Sequence, residues 1–141
     1  MKWIMIATAA LIALIVLATV VGAMLPRNHV ASRTIRLHRT PDQVWTAYTQ
    51  ATAASSVPVD VIENDPPRRM VTRVKETEKM FGGTWTCVVT PVPDGATITI
   101  TEDGWVANPF FRFVSRFIIG HHATMDGVLK QMAATLNEEV R

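Results

Sequence analysis

The stretch that decides the fold is NPFFRFVSRFIIGHHATMDGVLKQMAATLN, residues 108–137. Its apolar side chains recur at steps of three and four residues, which places them on one face of an α-helix. Asn108 is a good N-cap, and Pro109 suits the first helical position, where its missing N–H needs no partner. At about 1.5 Å per residue, a helix of this length spans about 45 Å. The pattern therefore predicts one long C-terminal helix with a wide apolar face, bent at Gly120.

A second apolar segment lies at the N-terminus. Residues 3–25 contain no charged side chain and are nearly all Ile, Leu, Val, Ala, Met and Thr, which is long enough to cross a bilayer as a helix. A cleavable signal peptide is the alternative, with Val21 and Ala23 marking a small-residue cleavage site, although its apolar core normally covers only about 7 to 15 residues. We therefore predict an uncleaved anchor over 1–26, a single-pass membrane protein, and one globular domain over 27–141.

The charges around the anchor indicate its orientation. Lys2 lies on the N-terminal side, whereas Arg27, Arg33, Arg36 and Arg39 follow the apolar segment, and the positive-inside rule then favours a globular domain that faces the cytoplasm. Without Lys2 the chain has 13 basic and 12 acidic residues, from totals of 14 and 12. This near-neutral balance argues against nucleic acid as a partner, because a nucleic-acid binder needs a basic face.

Between the two apolar segments, alternation of apolar and polar residues predicts five strands and a further helix. The predicted strands cover 30–38, 57–63, 69–76, 83–92 and 96–106. Thr40, Pro41 and Gln43 give the start of the helix, as N-cap, first-turn proline and capping-box partner. Pro93-Asp94-Gly95 predicts a tight turn that joins the last two strands into an antiparallel hairpin. The resulting class is α+β, with the C-terminal helix across the concave face of an antiparallel sheet.

Four segments carry a family resemblance: RTIRLHRTPDQVW (33–45), DPPRRMVTRV (65–74), FGGTWTCVVTP (81–91) and GATITITEDGWVANPFFRFVSRFIIG (95–120). In this order they resemble the SRPBCC or START-like superfamily, the helix-grip fold of polyketide cyclases and lipid-transfer domains, and in particular its small bacterial members with an N-terminal membrane anchor. The chain departs from the family pattern after Gln50, because only residues 50–56 stand where a second short helix and a pair of strands are usual. The resemblance thus implies a sheet of about five strands and a pocket that lacks one wall.

A hydrophobic cavity between the sheet and the C-terminal helix is the functional hypothesis that follows, since ligand sites tend to be apolar with a few placed polar groups. Its expected lining is Trp85, Cys87, Ile98, Ile100, Glu102, Phe113, Phe117 and His121. The alternative is that the same residues form a solid core, because a globular part of this size has little apolar material to spare.

The expected function is binding or transfer of a hydrophobic small molecule or lipid by a protein anchored in the lipid bilayer through residues 3–25. We expect a binding protein rather than an enzyme. Two alternatives stay open: an enzyme of the polyketide cyclase or aromatase type, and a non-catalytic interaction module with a degenerate pocket. In the second alternative the open edge of the sheet would pair with another copy as a homodimer.

Glu102 is the charge with the clearest expected role. It continues the inner row of the last strand after Ile98 and Ile100, unless Asp103-Gly104 forms a bulge, and a carboxylate on an inner face needs a partner. Arg112 and Arg116 lie four residues apart and project from the same side of a helix. We predict a structural ion pair between Glu102 and these arginines. The alternative for Glu102 is a role as a general acid or base, or as an anchor for a ligand. The alternative for the two arginines is contact with lipid phosphates.

The sequence gives no reason to expect a metal or a cofactor. Adjacent residues on a helix point about 100° apart, so His121 and His122 cannot chelate one ion together, and no third ligand has a supporting spacing. Cys87 is the only cysteine, which excludes an internal disulfide, and with no His or Asp companion it is expected to be a small buried hydrophobe. Gly82-Gly83 lacks the spacing of a phosphate-binding loop.

Overall fold

The computed structural model describes residues 1–75 and 80–139. In chain order the elements are α1 (Lys2–Met24), β1 (Asn28–Leu37), α2 (Pro41–Ala53), β2 (Val59–Asp65), β3 (Arg69–Val74), β4 (Phe81–Val92), β5 (Gly95–Val106), α3 (Pro109–Val114), a π-helical turn (Ser115–Ile119) and α4 (Ala123–Thr135). The chain is therefore an α+β protein with an apolar N-terminal helix, five strands and C-terminal helices. The last predicted residue of the third strand, Glu76, lies outside the described residues.

The five strands form one antiparallel sheet in the order β1-β5-β4-β3-β2. The turn at residues 93–95 joins β4 to β5 as a hairpin, as the sequence predicts. Pairing of β5 is continuous through residues 102–104, where Glu102 lies opposite Ala31 on one side and Trp85 on the other. Since no bulge interrupts this register, Glu102 keeps its place on the inner face of the sheet, the face that the helices cover.

Helices α2 and α4 cover the inner face of β1, β5 and part of β4. The capping box at the start of α2 is present: the Thr40 hydroxyl accepts from the Gln43 N–H, and the Gln43 side chain accepts from the Thr40 N–H. Between the helices and the sheet lies a closely packed core. Its largest fully buried side chains are Tyr48, Leu37, Ile98, Ile100, Met125, Leu129, Met132, Val44 and Cys87.

The prediction of one continuous C-terminal helix is wrong. Helix α3 ends at Val114, a π-helical turn follows, and Gly120 interrupts the chain with φ 81° and ψ 143° before α4 begins at Ala123. Backbone of this kind is open almost only to glycine, so the predicted bend is a complete break. The two halves consequently have different partners: α4 packs against α2 and β1, whereas α3 packs against α1.

Helix α1 is 23 residues long, has a mean hydropathy of 2.9 over its most apolar window, and is almost entirely exposed. Length and composition thus allow it to cross a membrane, although a signal sequence near the N-terminus passes the same test. Its two buried residues are Ala18 and Gly22, on the side that faces α3. A Cβ atom on Gly22 would lie 1.8 Å from the carbonyl oxygen of Pro109, so the two helices approach closely only because this position is glycine.

The helices leave the inner face of the sheet uncovered at its β2–β3 end. Six of the seven residues of β2 are exposed, including the inner-row residues Val59 and Val61, which are 42% and 58% exposed. No described helix packs against β2 or β3 to any substantial extent. This gap matches the short connection of residues 50–56, which leaves no chain to cover that end of the sheet.

Candidate functional site

A recess of about 310 Å³ lies where α1 meets the sheet. It is bounded by the end of α1, the first residues of β1, the last residue of β5 and the segment from α3 to Gly120. The lining consists of Leu25, Pro26, Arg27, Asn28, His29, Val30, Val106, Arg112, Ser115, Arg116 and His121. The recess is therefore mainly apolar, with a concentration of cationic and imidazole groups, and none of the described residues in its lining is acidic.

The three arginines of the recess have different surroundings. The Arg27 guanidinium lies 4.7 Å above the Trp105 ring, in cation–π contact. Arg112 donates to the carbonyl oxygens of Val106 and Ala107 at 2.8 Å each and to that of Leu25 at 3.4 Å. All the described hydrogen bonds of the Arg112 guanidinium thus go to backbone carbonyl oxygens.

Arg116 lies on the π-helical turn and lines the recess. Like Arg27, it makes no ion pair and no side-chain hydrogen bond with the residues that the structure describes.

A polar network forms the wall of the recess towards the sheet. The Glu102 carboxylate accepts from Trp85 Nε1 at 2.6 Å and lies 2.8 Å from His29 Nε2. An ionised carboxylate has only acceptors, so His29 Nε2 carries the proton in this contact. The His29 ring stacks on His121 at 4.0 Å between centroids, and His121 Nδ1 lies 3.3 Å from Ser115 Oγ. Glu102 therefore fixes His29, and His29 supports His121 at the recess.

The register of the sheet makes room for this network. His29 lies opposite Gly104 in the β1–β5 pairing, and a Cβ atom on Gly104 would lie 2.9 Å from the His29 ring and 3.2 Å from a Glu102 oxygen. His29 was not among the predicted site residues, because the first strand was predicted to begin one residue later, at residue 30. A signal was present, since His29 has the same parity as Ile35 and Leu37 and so belongs to the inner row once β1 begins at Asn28.

Burial and the neighbouring positive charges lower the pKa of His121 below its ordinary value. Burial is the largest cause, followed by repulsion from His29 and Arg116; Glu102 acts in the opposite direction. His121 is thus held towards its neutral form, which can both donate and accept a hydrogen bond.

The predicted ion pair of Glu102 with Arg112 and Arg116 is not the arrangement found. Glu102 is bonded to Trp85 and His29 instead, and Arg112 to backbone carbonyls. The physical reason is the break at Gly120: α3 turns towards α1 rather than running over β5, so its arginines point to the end of the anchor and not to the inner row of the sheet.

The predicted cavity residues fall into separate groups. Cys87, Ile98 and Ile100 are fully buried in the core between α2, α4 and the sheet, and burial raises the pKa of the Cys87 thiol to about 12, which makes it unreactive. Trp85 and Glu102 lie at the edge of that core and support the recess, and His121 lines it directly.

Phe113 and Phe117 form the remaining group, on the α3 side. Their rings contact one another at 5.1 Å between centroids, and Phe117 is 60% exposed. Phe117 therefore faces outward beside α1 and away from the sheet. His122, its neighbours and all other described residues contain no group of three His, Cys, Asp or Glu placed to hold a metal ion.

No family model and no curated protein matches the chain. Several solved structures do match the chain. A protein of Mesorhizobium loti superposes with a TM-score of 0.58 at 14% identity, covering 79% of this chain and 97% of its own. Norcoclaurine synthase from Thalictrum, solved with a transition-state analogue, has a TM-score of 0.54 at 11% identity and coverages of 78% and 94%. StfQ, the di-domain ARO/CYC of the steffimycin biosynthetic pathway, has a TM-score of 0.55 at 12% identity, covering 76% of this chain and 50% of StfQ. At these identities the matches show a shared fold and no more than the fold.

Proposed function

We propose that this protein is a membrane-anchored member of the SRPBCC or START-like superfamily with a helix-grip domain. We further propose that the recess between α1 and the sheet binds an amphiphilic ligand, namely a lipid or a similar small molecule with an anionic head group. The observation that carries the proposal is the position of the recess. It opens where an apolar helix able to cross a bilayer meets a ring of arginine and histidine side chains.

The lining supports an anionic head group. Arg27, Arg112 and Arg116 bring three positive charges to one recess whose described lining holds no carboxylate, and guanidinium groups are well suited to bind phosphate or carboxylate. Arg27, Arg116 and the neutral His121 are the groups proposed to donate to the ligand. Leu25, Pro26 and Val106 provide apolar surface for the first carbons of the ligand's chain.

The close contact of α1 and α3 supports an anchor that stays attached. Cleavage after Ala23 would remove Ala18 and Gly22, the two α1 residues buried against α3, and with them the packing of α3 next to the recess. The arginines that follow α1 favour the cytoplasmic side for the domain.

The fold supports a binding role. Norcoclaurine synthase, which has a similar fold, was solved in complex with a transition-state analogue, and this supports a small-molecule role for the fold. In this chain the interior position is filled by a packed core, so the recess replaces the interior cavity as the proposed ligand site.

Titration with lysophospholipids tests the proposal. The full chain, purified in a neutral detergent, is mixed with lysophosphatidylglycerol or lysophosphatidylcholine and analysed by native mass spectrometry. We expect the anionic lysolipid to be retained about tenfold better than the zwitterionic one, a difference of about 1.4 kcal/mol, because both carry a phosphate but the choline cation of the zwitterionic one is repelled by the arginines of the recess. Arg116→Gln should remove most of that preference.

Arg36→Gln is the matched control, because Arg36 is an exposed arginine of β1 whose only described partner is Asp94. Equal retention of the two lysolipids, or equal loss in both variants, would contradict the proposed site.

An acid–base enzyme of the cyclase or aromatase type is the second candidate, and one observation favours it. The hydrogen-bonded pair of Glu102 and His29, with His121 stacked on it at the recess, is a geometry that can hold and move a proton. In that case His121→Gln would leave lysolipid retention unchanged while abolishing turnover of a polyketide-like substrate. An interaction module is the third candidate: the exposed edge strand β2 could pair with a second copy, which native mass spectrometry would show as a dimer.

A further inference from the structure

We propose that residues 109–119, comprising α3 and the π-helical turn and here called the α3–π segment, form a second membrane contact that lies in the bilayer interface beside α1. The inference rests on the proposed anchor function of α1 and goes beyond it, because a single spanning helix needs no further contact with the membrane. The occupant of this apolar surface is the lipid bilayer itself.

The depth of the segment follows from its contact with α1. Ala18 and Gly22, the α1 residues buried on this side, both belong to the uncharged run of residues 3–25. At a rise of about 1.5 Å per residue, Ala18 lies about 10 Å before Leu25 along the helix axis. Helix α3, whose Pro109 and Phe113 lie against Gly22, is therefore at the level of the last turns of α1, and a bilayer that accepts those turns must also meet α3. The π-helical turn continues directly from α3, and we infer that it lies at the same border of the bilayer.

The outer surface of the segment is apolar where it meets that level. Phe117, Ile118 and Ile119 are three consecutive residues, 60%, 70% and 61% exposed, and Phe111 nearby is 44% exposed. Such a run is unfavourable on a surface that faces water. It continues the exposed apolar surface of α1, which includes Val20 and Met24.

The charges of the segment fit an interfacial position. Arg112 and Arg116 lie towards the recess and Arg27 lies at the end of α1, so cationic groups border the apolar surface at the level of the head groups. This division into an apolar outer side and a basic inner side is typical of helices that lie in the membrane interface.

The backbone of the segment also suits a medium that offers no water. Asn108 Oδ1 accepts from the N–H groups of Phe110 and Phe111 at the start of α3, and the Gly120 N–H donates to the Ser115 carbonyl at 2.9 Å at the end of the π-helical turn. Hydrogen bonds within the chain thus pair two N–H groups at the start of the segment and the Ser115 carbonyl near its end, which lowers the cost of a contact with lipid.

Depth-dependent fluorescence quenching tests the proposal on the full chain. Ile118→Cys is labelled with an environment-sensitive fluorophore and reconstituted into vesicles of phosphatidylcholine and phosphatidylglycerol that carry a nitroxide at carbon 5 or carbon 12 of the acyl chain. Because Ile118 is 70% exposed, the substitution leaves the packing intact. The native Cys87 is fully buried, and the unsubstituted protein measures any background labelling.

Two further positions calibrate the signal. Val16→Cys lies on the exposed side of α1, and Asp94→Cys lies in the β4–β5 turn, at the opposite end of β5 from Trp105. We expect Ile118→Cys to be quenched about two- to fivefold more strongly than Asp94→Cys, and more by the shallow nitroxide than by the deep one.

The outcomes separate the two proposals. The second contact is overturned, and the anchor is kept, if Val16→Cys is strongly quenched while Ile118→Cys is quenched no more than Asp94→Cys. A second copy of the chain that covers Ile118 would give this result. Absence of quenching at Val16 would overturn the anchor and, with it, the inference built on it. Retention or loss of lysolipid binding in the recess is measured independently of either result.

Discussion

Substitution of Glu102 is the most direct test of the network beside the recess. The carboxylate accepts from Trp85 Nε1 at 2.6 Å and from His29 Nε2 at 2.8 Å, and its side chain is 20% exposed. Hydrogen bonds to a charged group contribute about 1.5 to 3 kcal/mol each when buried. Allowing for the partial exposure, we expect Glu102→Ala to lower the free energy of unfolding by about 3 kcal/mol, or about 10 °C in the thermal midpoint for a chain of this size.

Glu102→Gln makes a second prediction, because it removes the charge and keeps the shape of the side chain. The amide oxygen can still accept from Trp85, but the amide NH₂ then faces His29 Nε2, which must accept by moving its proton to Nδ1. We expect a loss of about 1 kcal/mol, smaller than the loss caused by Glu102→Ala.

The assay is thermal unfolding of the full chain in detergent, followed by circular dichroism. Glu63→Ala is the matched control, because Glu63 pairs with Arg69 on the same sheet at an exposed site, and exposed pairs contribute at most about 1 kcal/mol. The reasoning would be refuted if Glu102→Ala destabilised the protein no more than Glu63→Ala, or if Glu102→Gln destabilised it as much as Glu102→Ala.

The other two predictions concern the break before α4 and the histidine that follows it. Gly120→Ala should destabilise the protein by about 1 to 3 kcal/mol in chemical unfolding, because φ 81° strains any residue with a Cβ atom, although nothing lies within 4 Å of that position. The control is Gly127→Ala, in open space within α4, which should be neutral or stabilising. Equal effects of the two substitutions would contradict the role of backbone conformation. The pKa of His121 is lowered in the folded state, so the contribution of this residue to stability is complete above the ordinary histidine pKa of about 6.5 and is lost as the pH falls from there towards the folded value. The thermal midpoint should therefore fall less between pH 7.5 and 5.5 in His121→Gln than in the native chain. Parallel curves for the two proteins would count against the shift.

The strands and their pairing could be predicted closely from the sequence. Alternation is a local property, so the inner row that ends at Glu102 was evident from Ile98 and Ile100. The caps at Thr40 and Asn108 were equally local, and both are present. What these signals share is that a few neighbouring residues determine them.

The C-terminal region was harder because helical periodicity does not show what a face packs against. The apolar spacing runs through residues 108–137 without interruption, yet its first part packs against α1 and its second against α2 and the sheet. Gly120 was visible as a bend, but whether a glycine takes a positive φ depends on the tertiary structure.

The polar partners in the site were not predictable for a related reason. His29 and Glu102 are separated by 73 positions in the chain, and only the β1–β5 register brings them together. Arg112 binds three backbone carbonyls, and backbone acceptors have no signature in a sequence, so a carboxylate was the natural but wrong partner.

The hydrogen bonds of Arg112 have a consequence for how the protein moves. One side chain holds the end of α1 at Leu25, the end of β5 at Val106 and the start of α3 at Ala107. A domain on a slack tether would sample many orientations above the membrane and would meet a ligand by diffusion. If α1 crosses a bilayer as we propose, fastening these three termini at one point gives the domain a fixed tilt and keeps the mouth of the recess at a constant height relative to the lipid surface. Exchange of a ligand would then depend on lateral movement within one leaflet and not on rotation of the domain.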